Sequence, residues 1–206
     1  MKVKRVVLGD FATNCYLIFK EKDGILIDVG FDSIPLEEYI SKKGITVRGI
    51  LLTHTHLDHI GDLKRIREKF NAPVYVHISE NKWLSNPTLN GSEAFSYFGQ
   101  VSTKPAEKFV DEGVLNIGDF KVKAFHTPGH TPGGVSYYIE PWLFSGDTLF
   151  YESIGRTDLY GGDSVQLVKS IKNKLFTLPE DTIVYPGHGE ETSIGHEKKS
   201  NPFLVR

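Results

Sequence analysis

The sequence of 206 residues contains one cysteine, no long apolar run and no excess of basic residues, and each shortage excludes a class of protein. Cys15 has no partner for an internal disulfide, so we exclude a secreted disulfide scaffold and expect a reducing, cytoplasmic compartment. No apolar run approaches the ~18 residues of a membrane span, so we expect no membrane partner. The first apolar run ends after three residues, which does not fit a signal peptide.

Charge and length set further limits. The formal net charge is −2, and lysine and arginine are spread along the chain, so we expect no nucleic acid partner. A chain of this length buries ~70% of its unfolded surface, which suffices for a core without disulfides. We therefore predict a single domain spanning residues 1–206, while the oligomeric state stays open.

Short apolar segments bounded by Gly, Pro, Asn and Asp predict many strands. The charged run 104–112 is interpreted as a solvated connection between two of them. The predicted strands cover residues 3–8, 15–19, 25–29, 47–52, 73–77, 114–117, 120–125, 135–139, 142–145 and 182–185.

Apolar residues at spacings of three and four predict three helices, at 35–43, 60–70 and 163–178. The last one has Asp163 or Ser164 as its N-cap. Its residues predicted to be buried are Val165, Leu167, Val168, Ile171 and Leu175.

The densest group of chemically active side chains follows the predicted strand 47–52. Within six residues the chain carries His54, His56, Asp58 and His59. Side chains two apart in extended backbone point the same way, so His54 and His56 can share a target. Polar loop residues in water are the alternative, but three imidazoles and a carboxylate directly after an apolar strand favour a metal site in a strand-to-helix loop.

Three more predicted strands end in loops that carry histidine or aspartate. Strand 120–125 runs into a Pro/Gly-rich loop with His126 and His130, strand 142–145 runs into Gly-Asp147, and strand 182–185 runs into Pro-Gly-His188. Side chains at strand ends converge when their strands share a sheet. We therefore expect these residues to meet the 54–59 cluster.

The candidate ligands are all imidazoles or carboxylates, without a thiolate. Their number exceeds one tetrahedral site and suits two divalent ions that share a carboxylate. Such a set suits zinc, iron, nickel or copper, and bound ions would lower the pKa of a water to about 7. The candidates are His54, His56, Asp58, His59, His130, Asp147 and His188.

Two further features admit two interpretations each. Asp28 ends the strand 25–29 just before Gly30, and it is either a turn former or the partner of a metal-bound histidine. The aromatic residues of the stretch 79–100 either pack into the core, which we favour, or form a lid that contacts substrate.

Four motifs in this order resemble the metallo-β-lactamase superfamily over nearly the whole chain. They are His-Thr-His-Leu-Asp-His at 54–59, Pro-Gly-His-Thr-Pro-Gly around His130, Ser-Gly-Asp-Thr-Leu-Phe around Asp147 and Pro-Gly-His-Gly around His188. The resemblance implies an α/β (α+β) fold, a four-layer αββα sandwich in which two mixed β-sheets are flanked by helices. It also implies an active site at one edge, between the sheets.

The resemblance further implies which residues bind which ion. Asp147 would bridge two divalent ions, for which we expect zinc, with iron or manganese as alternatives. His126 matches no ligand position and is interpreted as a loop histidine or the partner of a ligand, and His77 and His196 as packing or surface residues. The first ion would take His54, His56 and His130, and the second Asp58, His59 and His188.

Three shorter stretches, 13–16, 154–158 and 201–204, look like the compact glyoxalase II-like hydrolases. That resemblance implies hydrolysis of a small-molecule thioester of the hydroxyacylglutathione type by attack of a metal-bound hydroxide, which Asp58 would orient. Arg156 would meet a substrate carboxylate or would simply be solvated. Full-length glyoxalase II has a C-terminal helical domain that we do not expect here, so the thiol part of the substrate stays open.

Other members of the superfamily offer competing functions. Persulfide dioxygenases share Gly-Arg-Thr-Asp with residues 155–158 but use one iron, and they usually have a cysteine where this chain has Ile154. A β-lactamase is disfavoured because Asp147 occupies a bridging position that those enzymes lack, and because no export signal is recognised. A nuclease is disfavoured because it would bring a basic face, which the sequence does not indicate. A purely structural metal module is disfavoured because it would have a closed set of four ligands rather than seven candidates.

Overall fold

The chain folds into two compact units, which the computed structural model describes for residues 1–205, with the backbone alone at residue 96. The first unit comprises residues 1–110 and 117–119, and the second comprises 111–116 and the chain from 120 onward. Each unit has a six-stranded sheet and its own helices, so the predicted class with two mixed sheets flanked by helices is confirmed. None of the helices in the described part is long and apolar enough to cross a membrane.

The sheet of the first unit has the strand order β1-β2-β3-β4-β5-β6. Its first three strands are antiparallel neighbours, and the pairs from β3 to β6 are parallel. The charged stretch interpreted as a connection contains strand β6, so that interpretation is wrong in part. The strands are β1 (Lys2–Leu8), β2 (Thr13–Lys20), β3 (Asp23–Ile27), β4 (Thr46–Leu51), β5 (Val74–His77) and β6 (Lys108–Val110).

Three α-helices belong to the first unit: α1 (Ile34–Lys43), α2 (Leu57–Ile60) and α3 (Leu63–Lys69). The predicted helix at 60–70 is therefore confirmed over Leu63–Lys69, whereas its predicted start belongs to the separate helix α2. The backbone leaves helical geometry at Asp62, whose carboxylate accepts hydrogen bonds from the N–H and the hydroxyl of Ser33, both at 2.8 Å. Short 3₁₀ turns follow β5 at Ile78–Glu80, Trp83–Ser85, Ser92–Ala94 and Ser96–Phe98.

The sheet of the second unit has the strand order β14-β13-β10-β9-β8-β7, with a separate hairpin of β11 and β12. Strand β10 is parallel to β13 and antiparallel to β9. The strands are β7 (Gly113–Ile117), β8 (Phe120–His126), β9 (Val135–Ile139), β10 (Trp142–Gly146), β11 (Leu149–Phe150), β12 (Ser153–Ile154), β13 (Ile183–Pro186) and β14 (Thr192–Ser193).

The helices of the second unit are α4 (Ser164–Asn173) and α5 (Ile194–Ser200), and the latter was not predicted. Asp163 is the N-cap of α4, because its side chain accepts the N–H of Gln166 at 2.9 Å. The helix ends earlier than predicted and gives way to a 3₁₀ turn at Leu175–Thr177. Val165 is 62% exposed rather than buried, since it lies on the face opposite Leu167.

Each unit has a separate apolar core that fixes its strands. In the first unit, Leu26 and Ile50 of the sheet belong to one buried cluster with Leu63 of α3. In the second, Leu143 of β10 belongs to a buried cluster with Leu167 of α4. Close-packed cores of this kind hold strand ends in defined positions, which a site built at strand ends requires.

The four strands predicted to end in candidate ligands are all present. Strand β4 precedes the 54–59 cluster, while β8, β10 and β13 precede His130, Asp147 and His188. However, β4 lies in the first sheet and the other three lie in the second. The expectation that these strands share one sheet is therefore wrong.

Candidate metal centre

The first unit gathers four candidate ligands at the end of β4. His54, His56, Asp58 and His59 are all buried. The ring centroid of His54 lies 4.8 Å from that of His56 and 4.1 Å from that of His59. Asp58 Oδ2 lies 3.4 Å from His59 Nε2. Asp58 and His59 belong to the one-turn helix α2, which corrects the prediction that the whole cluster lies in a loop.

Asp28 orients two of these histidines. Its Oδ2 lies 2.9 Å from Nδ1 of His59 and accepts the hydroxyl of Thr53 at 2.7 Å. The same Thr53 hydroxyl oxygen lies 3.1 Å from Nδ1 of His54. An ionised carboxylate only accepts hydrogen bonds, so Nδ1 of His59 carries its proton and Nε2 keeps a lone pair for a metal.

The structure confirms Asp28 as a turn former, and its contact with His59 fits the second interpretation as well. Its φ of +57° is the left-handed backbone expected of a turn former, and its carboxylate contacts a candidate ligand. The N–H of Thr53 also donates to Oδ1 of Asp28 at 2.8 Å, which ties the end of β3 to the start of the histidine cluster.

Asp58 is held by its neighbours on the early strands. The hydroxyl of Thr13 donates to Asp58 Oδ2 at 2.9 Å. A Cβ placed on Gly30 would lie 3.0 Å from the carbonyl oxygen of Asp58, so a side chain at position 30 would push α2 away. The N–H of Val29 donates to the carbonyl of His59 at 2.9 Å. These contacts fix α2 against the ends of β2 and β3.

Glu80 is a supporting residue that the sequence analysis missed. It is fully buried, and its Oε2 accepts the N–H of Thr55 at 2.7 Å and the Thr55 hydroxyl at 2.9 Å. Thr55 lies between His54 and His56, so Glu80 holds the backbone that presents both rings. The available signal was an acidic residue in the first turn after the buried strand β5, although no motif surrounds it.

The second unit gathers the other three candidate ligands around one carboxylate oxygen. Asp147 Oδ2 lies 3.7 Å from Nε2 of His130 and 3.5 Å from Nε2 of His188. The N–H of Gly187 donates to the carbonyl of Gly146 at 2.8 Å, which aligns the ends of β13 and β10. Two ligands of a tetrahedral zinc ion with bonds of 2.0–2.1 Å lie roughly 3.4 Å apart. Asp147 Oδ2 therefore lies close to ligand spacing from two imidazoles.

His130 is oriented by the loop that follows the β11–β12 hairpin. Its Nδ1 lies 2.7 Å from the backbone carbonyl of Arg156, and because a carbonyl only accepts, Nδ1 is the protonated nitrogen. Gly155 has a steric role here, since any Cβ on it would collide with the carbonyl oxygen of Asp147. The glycine before Arg156 thus lets this loop pass directly beside a candidate ligand.

The guanidinium of Arg156 is engaged within its own loop. Its Nε and Nη2 donate to the two carboxylate oxygens of Asp158, both at 2.7 Å, and its side chain is 62% exposed. The hydrogen bonds from Arg156 hold the pKa of Asp158 at about 2. The structure places Arg156 next to His130 through its backbone, while its side chain is paired at the surface.

The remaining histidines lie outside both ligand groups. His126, at the end of β8, has Nε2 at 3.0 Å from the carbonyl of Pro132, which fits the loop interpretation. His77 contacts the hydroxyl of Ser79 at 2.6 Å, and His196 contacts Glu152 at 3.1 Å. Each contact secures a turn or a helix of its own unit.

Both ligand groups have the chemistry of a divalent metal site. Each offers imidazole nitrogens and carboxylate oxygens, with the non-coordinating nitrogen of several rings already bonded to an acceptor. Such donors suit zinc and divalent iron, and the outer hydrogen bonds are typical of metal-binding histidines. The donor sets therefore fit divalent ions.

Comparison with known proteins identifies the family. The family model of the metallo-β-lactamase superfamily matches residues 8–188. The chain belongs to this superfamily. Among curated relatives, the probable metallo-hydrolase YqgX of Bacillus subtilis strain 168 is 44% identical, over 99% of this chain and 98% of that protein. Hydroxyacylglutathione hydrolase GloC of Haemophilus influenzae is 35% identical, over 99% of this chain and 98% of that protein.

Solved structures show the same metallo-β-lactamase fold. The structure of the BLEG-1 B3 metallo-β-lactamase is 46% identical, with a TM-score of 0.96 over 100% of both chains. TTHA1623 in a di-iron-bound form is 35% identical, with a TM-score of 0.86 over 98% of this chain and 100% of that one. The protein therefore has the metallo-β-lactamase fold and belongs to the metal-dependent hydrolases.

Proposed function

We propose that this protein is a binuclear metal-dependent hydrolase that cleaves thioesters of the hydroxyacylglutathione type. The observation that carries the proposal is the position of Asp147 Oδ2, at 3.7 Å from Nε2 of His130 and 3.5 Å from Nε2 of His188. A carboxylate oxygen at ligand spacing from two imidazoles could share an ion with each of them, as a bridging ligand does. The name of the Haemophilus relative, hydroxyacylglutathione hydrolase, supports the substrate class.

The proposed ligand assignment follows the superfamily motifs. Asp147 would bridge the two ions. We propose zinc as the metal, with iron or manganese as alternatives, and the di-iron-bound form of TTHA1623 supports iron in a related protein. One ion would take His54, His56 and His130, and the other Asp58, His59 and His188.

When bound, the ions would polarise the thioester carbonyl and lower the pKa of a coordinated water to about 7. The chain's own residues would orient the reaction. Asp58, held through Oδ2 by the Thr13 hydroxyl, would position the attacking water. Asp28 would keep His59 and, through Thr53, His54 with Nε2 available for a metal.

We also propose that Arg156 contacts a carboxylate of the substrate. The guanidinium presents a planar set of donors that matches a carboxylate. Its bidentate pair with Asp158 shows the geometry, and a substrate carboxylate would replace Asp158 in that pair. The backbone bond from His130 to Arg156 would place this contact beside the metal ligands of the second unit.

The test is a panel of thioesters assayed with protein purified without added metal. Thiol release from S-lactoylglutathione, acetyl-coenzyme A and an N-acetylcysteamine thioester would be followed before and after chelation, and after return of zinc, iron or manganese. We expect metal-dependent hydrolysis with the highest kcat/KM for the hydroxyacylglutathione. Absence of thioester hydrolysis with every metal would contradict the proposal.

A second candidate, β-lactam hydrolysis, is favoured by the 46% identity to the BLEG-1 B3 metallo-β-lactamase. A chromogenic cephalosporin assayed with the same preparations separates the two candidates. We expect kcat/KM for the thioester to exceed that for the cephalosporin, because Asp147 occupies the bridging position that the resemblance implies β-lactamases lack. A higher kcat/KM for the cephalosporin than for the thioester would identify the protein as a β-lactam hydrolase.

The persulfide dioxygenase-like alternative rests on the Gly-Arg-Thr-Asp sequence at residues 155–158. It requires one iron per chain and consumption of oxygen. An oxygen electrode with a glutathione persulfide substrate separates this oxidoreductase from the hydrolase, for which we expect no oxygen uptake.

A further inference from the structure

Five aromatic side chains of the first unit form a surface group, which we call the aromatic cluster: Phe11, Phe31, Phe95, Tyr97 and Phe98. The ring of Phe11 lies 6.2 Å from that of Phe31, 5.5 Å from Phe95 and 4.8 Å from Phe98. Phe31 and Phe98 lie 5.3 Å apart, and Tyr97 and Phe98 lie 5.2 Å apart. These separations are those of rings in direct contact.

The aromatic cluster lies against the helix that carries Asp58. A Cβ on Gly61, the residue after α2, would lie 2.6 Å from the ring of Phe31, so this ring covers the end of the helix. Phe31 follows Gly30, which abuts the carbonyl of Asp58. Phe11 lies two residues before Thr13, whose hydroxyl donates to the Asp58 carboxylate.

A second set of contacts ties the segment 83–101 to the same place. The N–H of Leu57 donates to the carbonyl of Asn90 at 2.9 Å. The buried amide of Asn90 donates to the carbonyls of Trp83 and Val101, at 3.0 and 2.9 Å. The Trp83 ring is buried, with its centroid 6.2 Å from that of His56. The segment that carries Phe95 and Phe98 is thus anchored beside the ligands by specific hydrogen bonds.

Of the two interpretations of these aromatic residues, core packing is confirmed for part of the stretch, and a contact with substrate stays a prediction for the rest. Trp83 packs into the core, as favoured from the sequence, whereas Phe95 is 45% and Tyr97 87% exposed. Phe11 and Phe31 pack against the core and also contact the ring of Phe98. Core packing therefore accounts for the inner rings and leaves the outer ones without a structural reason for being apolar.

The size and charge of this surface favour a small apolar ligand. The two most exposed rings present on the order of 300 Å² of aromatic surface, given about 150–250 Å² per ring. A stable protein interface needs about 800 Å² from each partner, so this patch is too small for one. The segment 90–101 has one charged residue, Glu93, which accepts the Thr88 hydroxyl at 2.6 Å.

We propose that the aromatic cluster is a binding subsite for an alkyl or aryl group of the substrate, beside the Asp58 side of the metal ligands. The inference rests on the proposed function for the reaction itself and adds that, among thioesters that are otherwise alike, an alkyl or aryl group on the acyl or thiol side improves binding. Apolar groups bind such surfaces by removing aromatic and alkyl area from water.

The first test varies one part of the thioester at a time. Phenylacetyl and acetyl esters of one thiol test the acyl side, and acetyl esters of thiophenol and mercaptoethanol test the thiol side. In Phe95→Ala and Phe98→Ala, we expect the ratio of kcat/KM for the aromatic over the small substrate to fall about tenfold in one of the two series, through KM. Phe109→Ala is the matched control, because Phe109 is 54% exposed on β6 and outside the cluster.

The second test does not require hydrolysis. Calorimetric titration with the thioether S-(2-phenylethyl)-N-acetylcysteamine measures the subsite alone, with the S-methyl analogue as reference. We expect the phenylethyl thioether to bind the parent protein and Phe109→Ala equally, and Phe95→Ala and Phe98→Ala about tenfold more weakly. This result would support the subsite even if no thioester is hydrolysed, in which case the proposed function alone fails.

Two results would overturn the proposal. One is equal affinity of the phenylethyl thioether for the parent protein and both cluster variants. The other is a change of oligomeric state in the cluster variants on size-exclusion chromatography without any change in thioether affinity, which would assign the patch to contacts between copies of the chain.

Discussion

Asp28 Oδ2 and His59 Nδ1 lie 2.9 Å apart, and the same carboxylate oxygen accepts the Thr53 hydroxyl that lies 3.1 Å from Nδ1 of His54. One aspartate thus sets the orientation of two candidate ligands. Neither ring can rotate without losing a buried hydrogen bond, and a buried polar group that loses its partner is destabilised.

We predict that Asp28→Asn weakens metal binding about 10- to 100-fold, as removal of an outer carboxylate from a metal-binding histidine does. Asparagine keeps the size of the side chain and tolerates the left-handed backbone at this position. Competition with a chromophoric chelator measures the affinity. Asp32→Asn is the control, because Asp32 also has a positive φ but is exposed. Equal affinity in both variants would show that Asp28 does not act on the ligands.

The buried hydrogen bonds of Glu80 lead to a prediction for the free energy of unfolding. Glu80→Gln replaces the buried acceptor of the Thr55 N–H and hydroxyl with a weaker one, so we expect the free energy of unfolding to fall by about 2 kcal/mol. Urea denaturation of the metal-free protein measures the change. Glu93→Gln is the control, since Glu93 is exposed and also accepts a threonine hydroxyl. A loss no larger than that of the control would contradict the supporting role of Glu80.

Arg156 is predicted to act on substrate binding. Arg156→Gln should raise KM about tenfold for a thioester with a carboxylate, because a charged hydrogen bond is lost, and should change KM little for an uncharged thioester. Arg48→Gln is the control, since Arg48 is also an exposed arginine that donates to an aspartate. If KM for the two substrates rises by the same factor, Arg156 does not contact the substrate carboxylate.

The fall in the free energy of unfolding at low pH is predicted to depend on Glu107. Burial alone would raise its pKa, but hydrogen bonds from the Val74 N–H, Arg67 and Lys104 outweigh that effect and hold the pKa at about 2, below the ordinary value of 4.5. A lowered pKa stabilises the fold above about pH 4.5, and this contribution is lost as the pH falls toward 2. We therefore expect the protein to lose stability on acidification.

We expect Glu107→Gln to be less stable than the parent at pH 7 and to lose less stability between pH 5 and pH 3. Urea midpoints at several pH values measure this, with Glu38→Gln, an exposed glutamate on α1, as control. The same slope of stability against pH in the parent and Glu107→Gln would show that this carboxylate does not govern the loss of stability at low pH.

The sequence predicted the positions of the candidate ligands at strand ends better than the contacts around them, for a physical reason. His54, His130 and Asp147 were recognised because imidazoles and carboxylates at the ends of apolar strands are costly unless they bind something. The bounds of the predicted strands were correct to within one or two residues, because short apolar segments bounded by turn residues mark strands well, whereas the short strands β6, β11, β12 and β14 were not predicted. These features depend on local sequence alone.

The features that the sequence did not predict depend on contacts between distant residues. Glu80 supports Thr55 across 25 positions, and Ser33 donates to Asp62, between α2 and α3, across 29 positions. Val165 fits an apolar helix pattern, yet only the tertiary structure decides that Leu167 and not Val165 faces the core. No local pattern carries that information.

The most direct test of the account is the metal content of the parent protein and of Asp147→Ala, measured by elemental analysis alongside thioester hydrolysis. The account predicts about two ions per parent chain, with loss of at least one ion and of nearly all hydrolysis in the variant. A single ion in the parent, or a variant that keeps its thioester turnover, would contradict the binuclear mechanism.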